Sequence, residues 1–247
     1  MDQKTILRHF PNAIDGHTLT VDVADFLMRK YQLTPKNTLF GYSTCPDEIN
    51  RTVTNFESCY GEKQFPLGGL AGYPFSGKTG FNAFSHHVPD AEGDGNIVIL
   101  YGPHVGITDK GELGKVLREN QSHESAACGA AISFLNNYTD AKKNLANYEP
   151  HEDYLDVEQY AIEMMMMPHA ERIIRAKNPV KELVDVNYQI IDENILKMVG
   201  HLKEGFKGKI VLVGGVMINT SPSYHGYFEL RRFDMHHNGF KESLVLR

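Results

Sequence analysis

The chain is predicted to fold as an α/β domain with a mostly parallel central sheet and helices on both faces. Three observations carry this expectation. Continuous apolar runs at Thr38–Tyr42, Asn96–Tyr101 and Lys209–Ile218 read as strands buried on both sides. Segments with helical apolar spacing lie between them. No linker, repeat or low-complexity tract divides the chain, so residues 1–247 are expected to form a single domain.

The elements follow in order. Residues 1–17 are mixed and read as a surface arm. Leu19–Tyr31 carries apolar residues at positions 19, 23, 26, 27 and 31, a helical period with Thr18 or Thr20 as its cap. After the first strand a helix opens at Pro46, where a missing N–H costs nothing, and runs to Tyr60 with Gly61 as its stop. Residues 65–80 are rich in Gly and Pro and read as an ordered loop, with a brief helix over Phe81–Val88. The second strand ends at Gly102-Pro103-His104. Gly111–Asn120 reads as a short helix, and another starts near Ala126-Ala127-Cys128 with Ser122 or Ser125 as cap. Asp153–Lys177 and Val180–Lys203 read as long amphipathic helices, the first kinked or divided at Pro168. The third strand ends in Gly214-Gly215, and Tyr227–Met235 alternates as an edge strand.

Composition narrows the function classes. Hydrophobic residues make up 41% and charged residues 23%, the proportions of an ordinary soluble protein. A net charge of -6 argues against nucleic acid as a partner, since phosphate binding needs a concentrated basic face. No apolar run is long enough to span a bilayer, and no secretory or transit-like segment opens the chain. Three scattered cysteines make no disulfide framework and point to a reducing compartment with metal-binding or reactive thiols.

The chemistry concentrates in Ser43-Thr44-Cys45-Pro46-Asp47-Glu48-Ile49-Asn50-Arg51. A cysteine at a helix start is favoured as thiolate by the dipole. Asp47 and Arg51 are four positions apart, facing each other on an α-helix. Such a pair is by itself a common surface feature; beside a thiolate it is a candidate support for a metal. Ligand sites of open α/β sheets collect beyond the carboxyl ends of the strands. Cys45 and His104 lie there, and Cys128 lies at a helix start. Two thiolates and one imidazole with an open fourth position make a catalytic zinc arrangement. The competing readings are a structural histidine at 104, or a thiol hydrolase or transferase with Cys128 activated by His123 or His104.

The motifs Cys45–Asn50, Gly69–Pro89, Gly102–Ile107 and Ala127–Ala131 resemble the low-carbon-dioxide-inducible protein B (LCIB) family. That resemblance implies a β-carbonic-anhydrase-like fold of the theta type and a homodimer or higher assembly. It implies a zinc ion on Cys45, His104 and Cys128, with Asp47 orienting the attacking hydroxide and Arg51 holding Asp47. The reaction implied is reversible hydration of carbon dioxide to bicarbonate, in a plastid stroma for a trimmed algal protein and otherwise in the cytoplasm. Arg51→Ala is then expected to lower activity. The spacing departs from the ordinary β class, which has its Arg four residues after the first Cys and its second Cys three residues after the His. Within such a family, a catalytically silent carbon-concentrating scaffold is the alternative.

Other signals are read plainly. Gly72–Thr79 spells a phosphate-loop pattern but lacks a preceding strand and a long following helix, so it reads as backbone packing near the metal pocket, with Phe75 and Phe81 as apolar lining. Cys59 reads as a buried apolar residue, His86-His87 and His236-His237 as solvated pairs, and Met164–Met167 as core or subunit filler.

Overall fold

A run such as Ile97-Val98-Ile99-Leu100 has no polar face to give to water, so it must be sandwiched. In the computed structural model, which describes residues 3–90, 93–202, 205–222 and 224–246, every residue of that strand is buried. The chain runs α1 (Gln3–Leu7), β1 (Ala13–Asp15), α2 (Gly16–Tyr31), β2 (Thr38–Ser43), a 3-10 turn (Glu48–Thr52), α3 (Glu57–Tyr60) and β3 (Gln64–Pro66). It continues with a 3-10 turn (Leu70–Gly72), α4 (Gly77–His86), β4 (Asn96–Tyr101), β5 (His104–Gly106), β6 (Lys115–Leu117), β7 (Glu124–Ala126) and α5 (Gly129–Lys143). The last part holds α6 (Val157–Met166), a 3-10 turn (Met167–His169), α7 (Ala170–Arg175), α8 (Pro179–Leu202), β8 (Ile210–Asn219), β9 (Tyr227–His237) and β10 (Phe240–Ser243).

The main sheet runs β1-β9-β8-β4-β2-β3, with β5 extending along β8 and β10 along β9. β3, β2, β4, β5 and β8 are mutually parallel, and β9 turns antiparallel against β8. Alternation sorts the side chains: Ile97, Ile99, Ile210 and Leu212 enter the core under α4 to α8, whereas Val98, Leu100, Val211 and Val213 enter the core under α2 and α3. On the second face Phe40 stacks on Phe56 and Tyr60 at ring separations of 4.9 and 5.9 Å. The mixed α/β class and the mostly parallel sheet are therefore as expected. No helix among the described residues is long and apolar enough to cross a membrane.

Several local expectations are corrected. The first residues are no surface arm, because Ile6, Phe10 and Ala13 are buried and β1 pairs with β9. α2 is capped by Asp15, whose carboxylate accepts from Thr18 N at 2.8 Å, and not by Thr18 or Thr20. The helix expected from Pro46 to Tyr60 breaks into the turn Glu48–Thr52 and the single turn α3, with Val53–Phe56 between them. No helix covers 111–120: Gly111 and Gly114 take φ values of 86° and 92°, and the chain forms an antiparallel hairpin of β6 with β7. Tyr227–Met235 lies within β9, an inner strand with β8 along one side and β1 and β10 sharing the other. α4 starts four residues earlier than Phe81, at Gly77. Pro168 does divide its helix, within the turn Met167–His169, and α8 ends at Leu202, with Lys203 outside the described residues.

Candidate metal centre

Three connections beyond strand ends build the site. β2 ends at Ser43, and Cys45 follows two residues later, 7% exposed. β4 ends at Tyr101, and the chain jogs through Gly102-Pro103 before His104 resumes pairing with β8 opposite Met217. At Gly102 φ is 145°, and a Cβ there would fall 1.7 Å from the Gly215 carbonyl oxygen, so only glycine makes this jog. Cys128 is the N-cap residue of α5, in place of Ser122 or Ser125, and is 2% exposed. The ligand atoms of Cys45, His104 and Cys128 all lie within 4.8 Å of one another. A tetrahedral zinc with two sulfurs and one nitrogen spaces such atoms roughly 3.5–3.8 Å apart, so the trio fits one ion.

The imidazole is oriented for it. His104 Nδ1 lies 2.8 Å from Asn219 Oδ1, while its Nε2 is buried with no hydrogen-bond partner. The two thiols are unequal. Cys45 is drawn down to about 4, first by the Cys128 thiol donating to it and also by His104. Cys128 is pushed well up, first by that same bond and then by burial. Two buried thiolates side by side need a cation between them, which a divalent metal provides.

Asp47 is the N-cap of the turn Glu48–Thr52, and its Oδ2 stands 3.8 Å from His104 Nε2. Its partner is not Arg51. Arg118 donates from Nη1 to Asp47 Oδ1 at 2.7 Å and from Nη2 to Oδ2 at 3.0 Å, a bidentate fork. The fork's remaining donors go to Glu48 Oε1 (2.6 Å), Ser125 Oγ (3.0 Å) and the Ala126 carbonyl (3.0 Å). Burial by itself raises Asp47; Arg118 and His104 outweigh it and hold the carboxyl below its ordinary range. Arg118 is held protonated in return.

The expected Asp47–Arg51 pair fails for a geometric reason. With three residues per turn, positions four apart no longer share a face, and Asp47 sits outside the helical turn as its cap. Arg51 is exposed and points to a cleft also lined by His17, Thr52, Tyr224 and His225. Reading 111–120 as a helix hid Arg118, because only the β6–β7 hairpin carries it to Asp47.

The other candidates fall elsewhere. His123 is exposed, and the burial that raises Cys128 opposes a nucleophilic role. The Gly72–Thr79 loop starts against the connection that leads to His104: at Gly72 φ is 87° and a Cβ would fall 2.4 Å from the Gly102 carbonyl oxygen. Burial, and after it the nearby Cys128, pushes the Tyr73 hydroxyl up, while Phe81 is buried and Phe75 half-buried in the core. Cys59 is half-buried, and His236 is buried rather than solvated.

Comparisons with known proteins agree with this architecture. A family model described as limiting CO2-inducible proteins B/C beta carbonic anhydrases matches residues 14–237. The crystal structure of PtLCIB4, a homolog of the limiting CO2-inducible protein LCIB, superposes with a TM-score of 0.85 at 30% identity, covering 98% of this chain and 99% of that one. The crystal structure of limiting CO2-inducible protein LCIB gives a TM-score of 0.69 at 21% identity, over 100% of both chains. Comparison with curated proteins gives no match.

Proposed function

The chain belongs to the family of limiting CO2-inducible B/C β-carbonic anhydrases, and from that premise we propose that it is a zinc lyase interconverting carbon dioxide and bicarbonate. Residues 1–247 act as one catalytic domain. The observation that carries the reading is the convergence of Cys45, Cys128 and a buried His104 Nε2 that has no hydrogen-bond partner. These three atoms would hold the zinc, which when bound supplies the Lewis acidity that brings proton loss from water toward neutral pH.

The chain's own residues do the rest. Asp47 reaches the space that the imidazole faces and accepts a hydrogen bond from the reacting water, aiming its lone pair at carbon dioxide. Arg118, in the place first given to Arg51, fixes that carboxylate with two N–H bonds and keeps it from swinging over the metal. Free thiols at the site suit a reducing compartment, plastid stroma or cytoplasm, and the working unit is a homodimer, to be checked by light scattering.

Stopped-flow hydration of carbon dioxide with a pH indicator tests the activity. Zinc-loaded protein is expected to accelerate the reaction, and a chelator to abolish the effect. A rate equal to the uncatalysed one would leave a carbon-concentrating scaffold as the function. Activity surviving in metal-free protein would favour thiol chemistry at Cys128.

A further inference from the structure

An imidazole binds metal through Nε2 only when its other nitrogen carries the proton, so something must choose the tautomer. Here the choice traces to two backbone carbonyls. Asn219, the last residue of β8 and 2% exposed, places its Nδ2 3.2 Å from the Ile49 carbonyl and 3.1 Å from Asn50 Oδ1. Asn50, 7% exposed, places its own Nδ2 3.1 Å from the Cys45 carbonyl. A carbonyl oxygen only accepts. The Cys45 carbonyl therefore fixes the Asn50 amide with its nitrogen toward Cys45, and the Ile49 carbonyl fixes the Asn219 amide with its nitrogen toward the turn. Asn219 Oδ1 is left facing His104 Nδ1 at 2.8 Å, where it accepts a hydrogen bond from Nδ1–H.

We propose that Asn219 and Asn50 form a polarity relay that locks His104 as its Nδ1–H tautomer and thereby presets Nε2 as a metal ligand. Asn219 is a positioning residue: it acts on the ion only through the imidazole. The relay also ties the first ligand to the second, since one end grips the Cys45 carbonyl and the other the His104 ring. This rests on the zinc reading above for its purpose, but the tautomer itself is observable without turnover.

The test is nitrogen NMR of ¹⁵N-histidine-labelled protein, zinc-loaded and chelator-treated, with His104 assigned by loss of its signals in His104→Gln. Nδ1–H is expected in both forms. Nε2–H in the chelator-treated wild type overturns the relay. Competition with a chelator then gives zinc affinity. Asn219→Ala removes the acceptor and is expected to weaken zinc about 10- to 100-fold. The chelator-treated Asn219→Ala protein is also expected to lose the single Nδ1–H tautomer. A tautomer unchanged in Asn219→Ala overturns the relay. Should Asn219→Ala fail to fold, the wild-type spectra decide alone. Wild-type protein that binds no zinc yet shows Nδ1–H refutes the lyase reading while supporting the relay.

Discussion

The two ends of the short turn Glu48–Thr52 are held differently. At its inner end Asp47 and Asn50 are tied into the site, one by a guanidinium from 71 residues away and one by the Cys45 carbonyl. At its outer end Arg51 and Thr52 face a cleft of about 720 Å³ that Arg118 and Asn219 also line, and Arg51 makes no ion pair among the described residues. Adjacency in sequence favoured Arg51 as Asp47's partner, and tertiary approach gave the place to Arg118. A carboxylate that is 12% exposed gains far more from a buried fork than from an exposed neighbour.

Cys45→Ala, Cys128→Ala or His104→Ala is expected to take bound zinc from one equivalent to near none and hydration to the uncatalysed rate, as read by metal analysis and stopped flow. Full zinc occupancy in any of the three would remove that residue from the ligand set.

Next, Arg118→Ala strands Asp47 as an uncompensated, mostly buried charge. It is expected to cost about 2–4 kcal/mol of stability, discounted from the fully buried case because both partners retain some exposure. Hydration should fall roughly 10- to 100-fold. Denaturant midpoints and steady-state rates check the two effects separately.

That difference sharpens with pH. Asp47's carboxyl lies lower in the fold than its ordinary value of 3.8. The stabilisation it contributes is therefore complete above that value and is lost as pH falls through the lowered, folded one. The gap in urea midpoint between wild type and Arg118→Ala should be widest near neutral pH and narrow below pH ~4. A gap independent of pH would show that Arg118 stabilises through something other than Asp47.

The smallest effect belongs to the outer end. Arg51→Ala is expected to change turnover less than about twofold and stability by within ~0.5 kcal/mol, the ordinary range for an exposed side chain. A loss as large as that of Arg118→Ala would return Arg51 to the role its sequence position suggested.

What could be read from the chain follows from this contrast. Strands such as Ile97–Leu100 and Ile210–Val213 are buried on both faces, so hydrophobic continuity alone identified them and the sheet's parallel half. The ligands Cys45 and His104 followed because they sit at the ends of those strands. The antiparallel flank was less legible. β9 becomes an inner strand through pairing with residues 13–15, and no local pattern announces so distant a partner. Further along the same side the Asn238-Gly239 dipeptide does signal a hairpin into β10. Arg118, Asn50 and Asn219 were illegible for a shared reason: each acts through a hydrogen bond whose partner is fixed only when loops from β2, β6 and β8 converge.

Zinc-edge X-ray absorption on the metal-loaded wild-type protein tests the central claim most directly. The expected first shell has two sulfur atoms at about 2.3 Å and one imidazole nitrogen at about 2.0–2.1 Å, with one further light atom. A shell containing one sulfur or none, or two imidazoles, would contradict the assignment of Cys45, His104 and Cys128.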